Sequence, residues 1–383
     1  MSVASYSLAL DVGTSFVEVA LIDDLARTVL ATARVLNKQV FFGTNVLARL
    51  GAVQEGHILD LQEAVQESVL DALAAIATSL QTNVGAVPEN SSANPELLHT
   101  VSGILSACQR VVVAANSVMA PLFCGVTPDG LTRPPFTPVH TSQCQTGQLI
   151  ELWRETRDDA SLAAQMLPPL AAFVGADAYA VLIATGLSEV SSETKLVVDL
   201  GTNAEILLRK GDDLFVTSVP AGPAFEGVLG SGATGLRGSD VIRLVAQGVS
   251  AGHIDADGLV TDASALSPLT QHDVRDFQLA KAAVQVGIQM LLESAAIDAQ
   301  SIDSFVLTGA FGSQLDSTSA QVIGLYPADL PLPRTLSQSS GALLGAIAVA
   351  LGAHPDIAGQ IHYVDLVGHP LFSERLLQAL ALR

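Results

Sequence analysis

Two short stretches carry the chemistry most readily read from this chain: Asp11-Val12-Gly13-Thr14-Ser15 and Asp199-Leu200-Gly201-Thr202-Asn203. Each follows an apolar run, Leu8-Ala9-Leu10 or Leu196-Val197-Val198, and leads into another, residues 16–22 or 204–208. That is the pattern of a strand, a tight turn and a returning strand. A D-x-G-T turn can gather backbone N–H groups and a hydroxyl around a phosphate, because glycine permits close main-chain approach and threonine adds a donor. The aspartate ending the first strand faces the same space. Asp11 and Asp199 can therefore hold Mg2+, usually through water, since that ion gives up its hydration shell reluctantly. One such turn is a common hairpin. Two copies 188 residues apart imply a duplicated half-molecule, able to clamp one triphosphate from both sides.

A third turn, Thr308-Gly309-Ala310-Phe311-Gly312, follows the apolar run 305–307. Its glycines allow backbone to pass close to a flat base or ribose, which makes Gly309, Ala310 and Gly312 candidates for a nucleoside ledge. No G-x-x-x-x-G-K-[ST] sequence is present, so a P-loop is excluded, and no G-x-G-x-x-G follows a strand.

The elements that must position these turns alternate between strand and helix, which implies an α/β layered fold. Residues 59–80 carry apolar side chains at helical spacing, 83–96 are polar and loop-like, and Val111-Val112-Val113 reads as a buried strand. Residues 125–147 read as an irregular connection, and 160–187 as largely helical after Pro168-Pro169. Residues 270–295 form a long amphipathic helix capped by Thr270, 341–351 a helix of small residues, and a final helix begins at Phe372. The expected division is a first domain over 1–190 with an inserted segment over about 83–147, a second over 191–352, and a tail over 353–383.

Composition narrows the function classes. Hydrophobic residues make up 49% of the 383, enough for large buried cores, and no run is long enough to predict a membrane-spanning helix. A formal net charge of −20 disfavours nucleic acid and anionic lipid as partners. No basic n-region opens the chain, so a cytoplasmic protein is expected. Cys108, Cys124 and Cys144 match neither a disulfide framework nor an iron–sulfur spacing, and are read as thiols.

The order of the three turns resembles the actin/Hsp70/sugar-kinase superfamily of ATPases, two RNase H-like domains with a nucleotide cleft between them. More narrowly, the chain is similar to the ATPase portion of the reductive activators of corrinoid proteins. That resemblance rests on residues 10–14, 37–50 (NKQVFFGTNVLARL), 173–177 with 184–186, 199–205 (DLGTNAE), 221–227 (AGPAFEG), 269–283 (LTQHDVRDFQLAKAA), 308–312, and the tail Tyr363-Val364-Asp365-Leu366 then Phe372. It implies that Asp11, Gly13, Thr14 and Ser15 line one phosphate site. Asp199, Gly201, Thr202, Asn203 and Glu205 line the other, with Asp199 or Glu205 orienting the attacking water. Gln278 and Lys281, three apart on one helix face, would reach ribose and base, although Lys281 also reads as a solvated helix charge. Glu226 would sit near the γ-phosphate or a hinge, the alternative being a structural Pro-Gly turn.

Members of that family carry an N-terminal ferredoxin-like domain with a [2Fe–2S] cluster, and this sequence starts at the first ATPase strand. Residues 115–119 and 341–345 match the family's patterns only loosely. The resemblance implies ATP and Mg2+ as ligands, with no iron–sulfur cluster in this chain. It implies a corrinoid protein or corrinoid-dependent methyltransferase as partner, an external ferredoxin or flavodoxin as electron donor, and a homodimer by analogy. A chaperone-like reactivase of a B12 enzyme, a small-molecule kinase and an acyl-CoA dehydratase activator are the alternatives.

Overall fold

The computed structural model describes residues 5–82, 96–139, 141, 163–226, 228–229, 232–233, 236, 238–309, 315–336, 340–353, 356–366 and 368–382. The chain forms two compact units, Met1–Ala184 with Ala342–Pro355, and Thr185–Gly341 with Asp356–Arg383.

In the first unit, β1 (Tyr6–Val12), β2 (Phe16–Asp23) and β3 (Thr28–Leu36) form an antiparallel meander, and β4 (Cys108–Ala115) and β5 (Ala163–Met166) add in parallel. The strand order is β3-β2-β1-β4-β5. Alternation along β1 and β2 sends Leu8, Leu10, Val12, Val17, Val19 and Leu21 to one face. There they meet Leu61, Val65, Val69, Leu73 and Ile76 of the Ile58–Thr82 helix. Each such side chain contributes about 1.5–3 kcal/mol on burial.

The second unit repeats the plan. Its strands are β6 (Ser191–Leu200), β7 (Asn203–Gly211), β8 (Asp213–Pro220), a small ribbon of β9 (Val228–Leu229) and β10 (Gly232–Ala233), then β11 (Ser304–Gly309), β12 (Arg334–Thr335) and β13 (Gln360–Tyr363). The main sheet runs β12-β11-β6-β7-β8-β13. Antiparallel β6, β7 and β8 correspond to β1, β2 and β3, parallel β11 and β12 correspond to β4 and β5, and β13 is an extra edge strand. The Gln271–Ser294 helix covers β7 and β8 as its counterpart covers β2 and β3. It starts at a capping box: Thr270 Oγ1 accepts from Asp273 N (3.3 Å), and Asp273 Oδ2 accepts from Thr270 N (2.8 Å). Both units are thus RNase H-like sheets, and the duplication announced by the two turns extends to every principal strand.

Several details depart from the expectations. The helix expected within 160–187 is confined to Ala176–Thr185, and Ala163–Met166 pairs with β4 as a strand, tertiary pairing overriding the helical propensity of its alanines. The segment taken as an insertion contributes β4, which lies beside β1 in the sheet. The division into units also differs: the Gly341–Ala350 helix packs with the first unit, and the C-terminal segment belongs to the second rather than standing as a tail. Gly345 explains part of this, since the helix lies so close to the Ala176–Thr185 helix that a Cβ there would stand 1.9 Å from the Ala180 carbonyl oxygen. Cys108 is buried and in no disulfide, whereas Cys124 is disulfide-bonded, against the expectation of a thiol. Cys144 and residues 83–95 and 142–147 lie outside the described residues. Among the described residues no helix is long and apolar enough to cross a membrane.

Candidate functional site

The second D-x-G-T turn joins β6 to β7, and strand register dictates what stands beside it. Thr308 on β11 pairs with Asp199 on β6, Asp199 with Glu205 on β7, and Glu205 with Ser218 on β8. Because paired residues share a face, the four form one polar row across the sheet. The row lies on the face away from the main core, which takes Leu196, Val198, Leu200, Ala204 and Ile206. Asp199 (9% exposed) and Glu205 (5%) are both buried. Ser218 Oγ donates to Glu205 Oε1 at 3.1 Å. Beside them the turn is closed by Gly201 N–H on the Asn203 carbonyl (3.0 Å), and Gly222 N–H binds the Thr202 carbonyl (2.7 Å), tying the turn to AGPAFEG. Phe225 of that segment meets Phe277 edge-on at 6.0 Å, so two family-like stretches, AGPAFEG and DVRDFQLAKAA, pack against each other.

Two acidic residues on one face of adjacent strands offer oxygen ligands to a divalent cation or its bound water. The fully buried Thr308 hydroxyl has no hydrogen-bond partner among the described residues. An all-oxygen set with a spare hydroxyl fits a hydrated Mg2+ ion. Among the described residues no group of three or more His, Cys, Asp or Glu is gathered in a metal-ligating cluster.

The first turn is the counterpart. Asp11 pairs with Glu18 on β2 and with Ala114 on β4, and Glu18 pairs with Arg34 on β3. Here the second acid is in an ion pair, Arg34 Nε to Glu18 Oε1 at 3.2 Å, and the guanidinium lies 3.6 Å from the Phe16 ring centroid. Gly13 N–H closes this turn onto the Phe16 carbonyl (3.0 Å), Ser15 being the extra residue relative to the second copy.

Three polar residues that sequence reasoning passed over fix this loop. Asn116 Nδ2 donates to Thr14 Oγ1 (3.0 Å), while its Oδ1 accepts from Val118 and Met119 N–H and so starts the Met119–Phe123 helix. Asn37 Nδ2 donates to the Gly13 carbonyl (2.8 Å), and Asn37 N–H to the Ser15 carbonyl (2.8 Å). Arg49, fully buried, donates to the Thr14 carbonyl and to Gln39 Oε1. The signal was present: Asn37 and Arg49 lie in the 37–50 stretch and Asn116 in 115–119, both noted for resemblance but not for their side chains.

Gly309 ends β11 at φ +119°, and a Cβ there would lie 2.1 Å from the Leu200 carbonyl oxygen, so only glycine fits beside β6. Ala310 and Gly312 lie outside the described residues, and of Glu226 only the backbone is described, as the end of the Pro223–Glu226 turn. Gln278 and Lys281 both hydrogen-bond the C-terminal turn. Lys281 Nζ donates to the Ala379 (2.7 Å) and Ala381 (2.6 Å) carbonyls, and Gln278 Nε2 to those of Leu380 (2.9 Å) and Asp257 (3.1 Å). At 1% exposure Lys281 is not a solvated charge. The pair anchors the C-terminal turn.

With this geometry in hand, the comparisons with known proteins agree on one family. The model described as the C-terminal domain of RACo, the ASKHA domain, matches residues 193–232 and 265–383, and the RACo middle region matches 6–107 and 95–190. The chain is 27% identical over 398 aligned residues to "Corrinoid activation enzyme RamQ" of Eubacterium limosum, covering 88% of this chain and 63% of that protein. It is 35% identical over 89 residues to "[Co(II) methylated amine-specific corrinoid protein] reductase" of Methanosarcina barkeri, covering 23% and 13% of the two. The chain thus spans less than two thirds of the length of these curated relatives. The solved structure of a "Reductive activator for corrinoid,iron-sulfur protein" superposes with a TM-score of 0.79 at 24% identity, covering all of this chain and 67% of that one. Middle and C-terminal models fall in chain order on the two units described above, and the chain belongs to the RACo family of ASKHA-domain proteins.

Proposed function

We propose that this chain is an ATPase that activates a corrinoid protein, coupling ATP binding and hydrolysis to reduction of Co(II) to Co(I) with an electron from an external low-potential donor. The observation that carries the reading is the repeated register: each unit sets an aspartate, Asp11 or Asp199, at the end of its first strand, before a D-x-G-T turn. Family membership and the printed activities of the relatives support the corrinoid part.

In this account each turn is a phosphate-binding loop for a magnesium nucleotide. Backbone N–H groups and hydroxyls of Gly13, Thr14 and Ser15 bind phosphate oxygens in the first unit, and those of Gly201, Thr202 and Asn203 do so in the second. Asp11 in the first unit and Asp199 in the second would each hold hydrated Mg2+, which would supply charge neutralisation on the phosphates. Glu205, fixed by Ser218, orients the attacking water and takes up its proton. Gly309, at the end of β11, serves the nucleoside ledge. ATP drives an uphill electron transfer only if the ATP and ADP states differ in affinity for the partner's conformations. The protein is proposed to act in the cytoplasm, and a homodimer fits the family.

The test mixes the purified chain, MgATP, a reduced ferredoxin or flavodoxin and a Co(II) corrinoid methyltransferase component, and follows the cobalt spectrum. The account expects ATP-dependent appearance of Co(I) that is lost in Glu205→Gln. Loss of cofactor without reduction, or no ATP-dependent change with any corrinoid partner tried, overturns it.

A further inference from the structure

The two hairpins are copies, and their differences are informative. In the first unit the row across the sheet reads Ala114, Asp11, Glu18, Arg34, and in the second it reads Thr308, Asp199, Glu205, Ser218. A methyl group and a guanidinium flank the acids of one copy, and a hydroxyl stands on each side in the other. Ser218 spends its hydroxyl on Glu205. The Thr308 hydroxyl is fully buried and has no hydrogen-bond partner among the described residues. A buried hydroxyl without a partner costs free energy that an isosteric methyl avoids, so its presence calls for a ligand.

We propose that Thr308 is a further binding residue of the second hairpin, its hydroxyl holding a water of the hydrated divalent cation that Asp199 faces. The inference rests on the nucleotide reading above and deepens it, placing the metal's outer shell on the second unit's row. Water-mediated retention suits Mg2+, which keeps several of its waters when bound by one or two carboxylates. Ala114, at the equivalent position of the first unit, cannot do the same.

The test uses the full chain as Thr308→Val, Thr308→Ser and native protein, with three readouts: thermal midpoint, ATP affinity with excess chelator, and the MgCl2 concentration giving half-maximal ATP binding. Valine matches threonine in shape, so removing a hydroxyl that bonds to no protein group leaves the midpoint unchanged or raised. Metal-free ATP affinity stays the same, while the half-maximal MgCl2 concentration rises about five- to tenfold, one hydrogen bond's worth. Thr308→Ser restores the native requirement. An unchanged MgCl2 requirement in Thr308→Val overturns the inference and leaves the nucleotide reading standing. So does a large drop in its thermal midpoint, which would show that the hydroxyl serves the fold. Native protein that binds no ATP with or without Mg2+ removes both.

Discussion

Replacing Lys281 by methionine separates an anchor from a nucleotide contact. The ammonium makes two short hydrogen bonds, to Ala379 and Ala381 carbonyls at 2.7 and 2.6 Å. Bonds from a charged donor contribute about 1.5–3 kcal/mol each. Methionine keeps the apolar stem and removes the cost of burying a charge, which offsets part of the loss. The net destabilisation worked from these terms is about 2–4 kcal/mol. For a unit of this size that lowers the thermal midpoint by roughly 5–15 °C. Circular dichroism reads the midpoint, limited proteolysis reads release of the C-terminal segment, and calorimetry reads ATP affinity. The account predicts a lower midpoint, faster cleavage after the Gln360–Tyr363 strand, and ATP affinity changed less than threefold. An unchanged midpoint together with a tenfold loss of ATP affinity would refute the anchoring role.

Two further substitutions probe the first unit. Gly345→Ala puts a methyl 1.9 Å from the Ala180 carbonyl oxygen; because that neighbour is backbone, helix separation follows, with a loss of about 3 kcal/mol or more in urea unfolding. Asp177, at the start of the Ala176–Thr185 helix, has its carboxyl raised from 3.8 to about 6, chiefly by burial and against backbone hydrogen bonds such as that from Ala178 N–H. Its folded value lies above its unfolded one, so its contribution is most favourable below pH 4 and is lost as pH rises through 6. Asp177→Asn is therefore more stable than native protein at pH 7, by up to about 2–3 kcal/mol, and equal to it at pH 4; denaturation at both pH values checks the sign.

The hairpins were legible because a D-x-G-T turn between apolar runs is a local pattern, and its recurrence revealed the duplication. The long helix was equally plain from Thr270 onward. The fate of Lys281 was also written locally: Val274, Phe277, Lys281, Val284 and Ile288 follow one another at spacings of three and four, so the lysine lies in the apolar stripe. A charge in an apolar stripe needs acceptors, and the Ala379 and Ala381 carbonyls that supply them lie some hundred residues away in sequence. The parts that escaped depend on pairing between distant strands. Nothing near Ser218 or Thr308 in sequence ties them to Asp199; only the register of β11, β6, β7 and β8 does. Likewise Ala163–Met166 becomes a strand because β4 offers it an edge, and the Gly341–Ala350 helix joins the first unit because a glycine lets it approach Ala180.

Separate Asp11→Asn and Asp199→Asn substitutions, each read as MgATP affinity by calorimetry, bear on the central claim most directly. If each D-x-G-T turn is a phosphate and magnesium site, either substitution weakens MgATP binding at least tenfold. Unaltered affinity in either variant would contradict it.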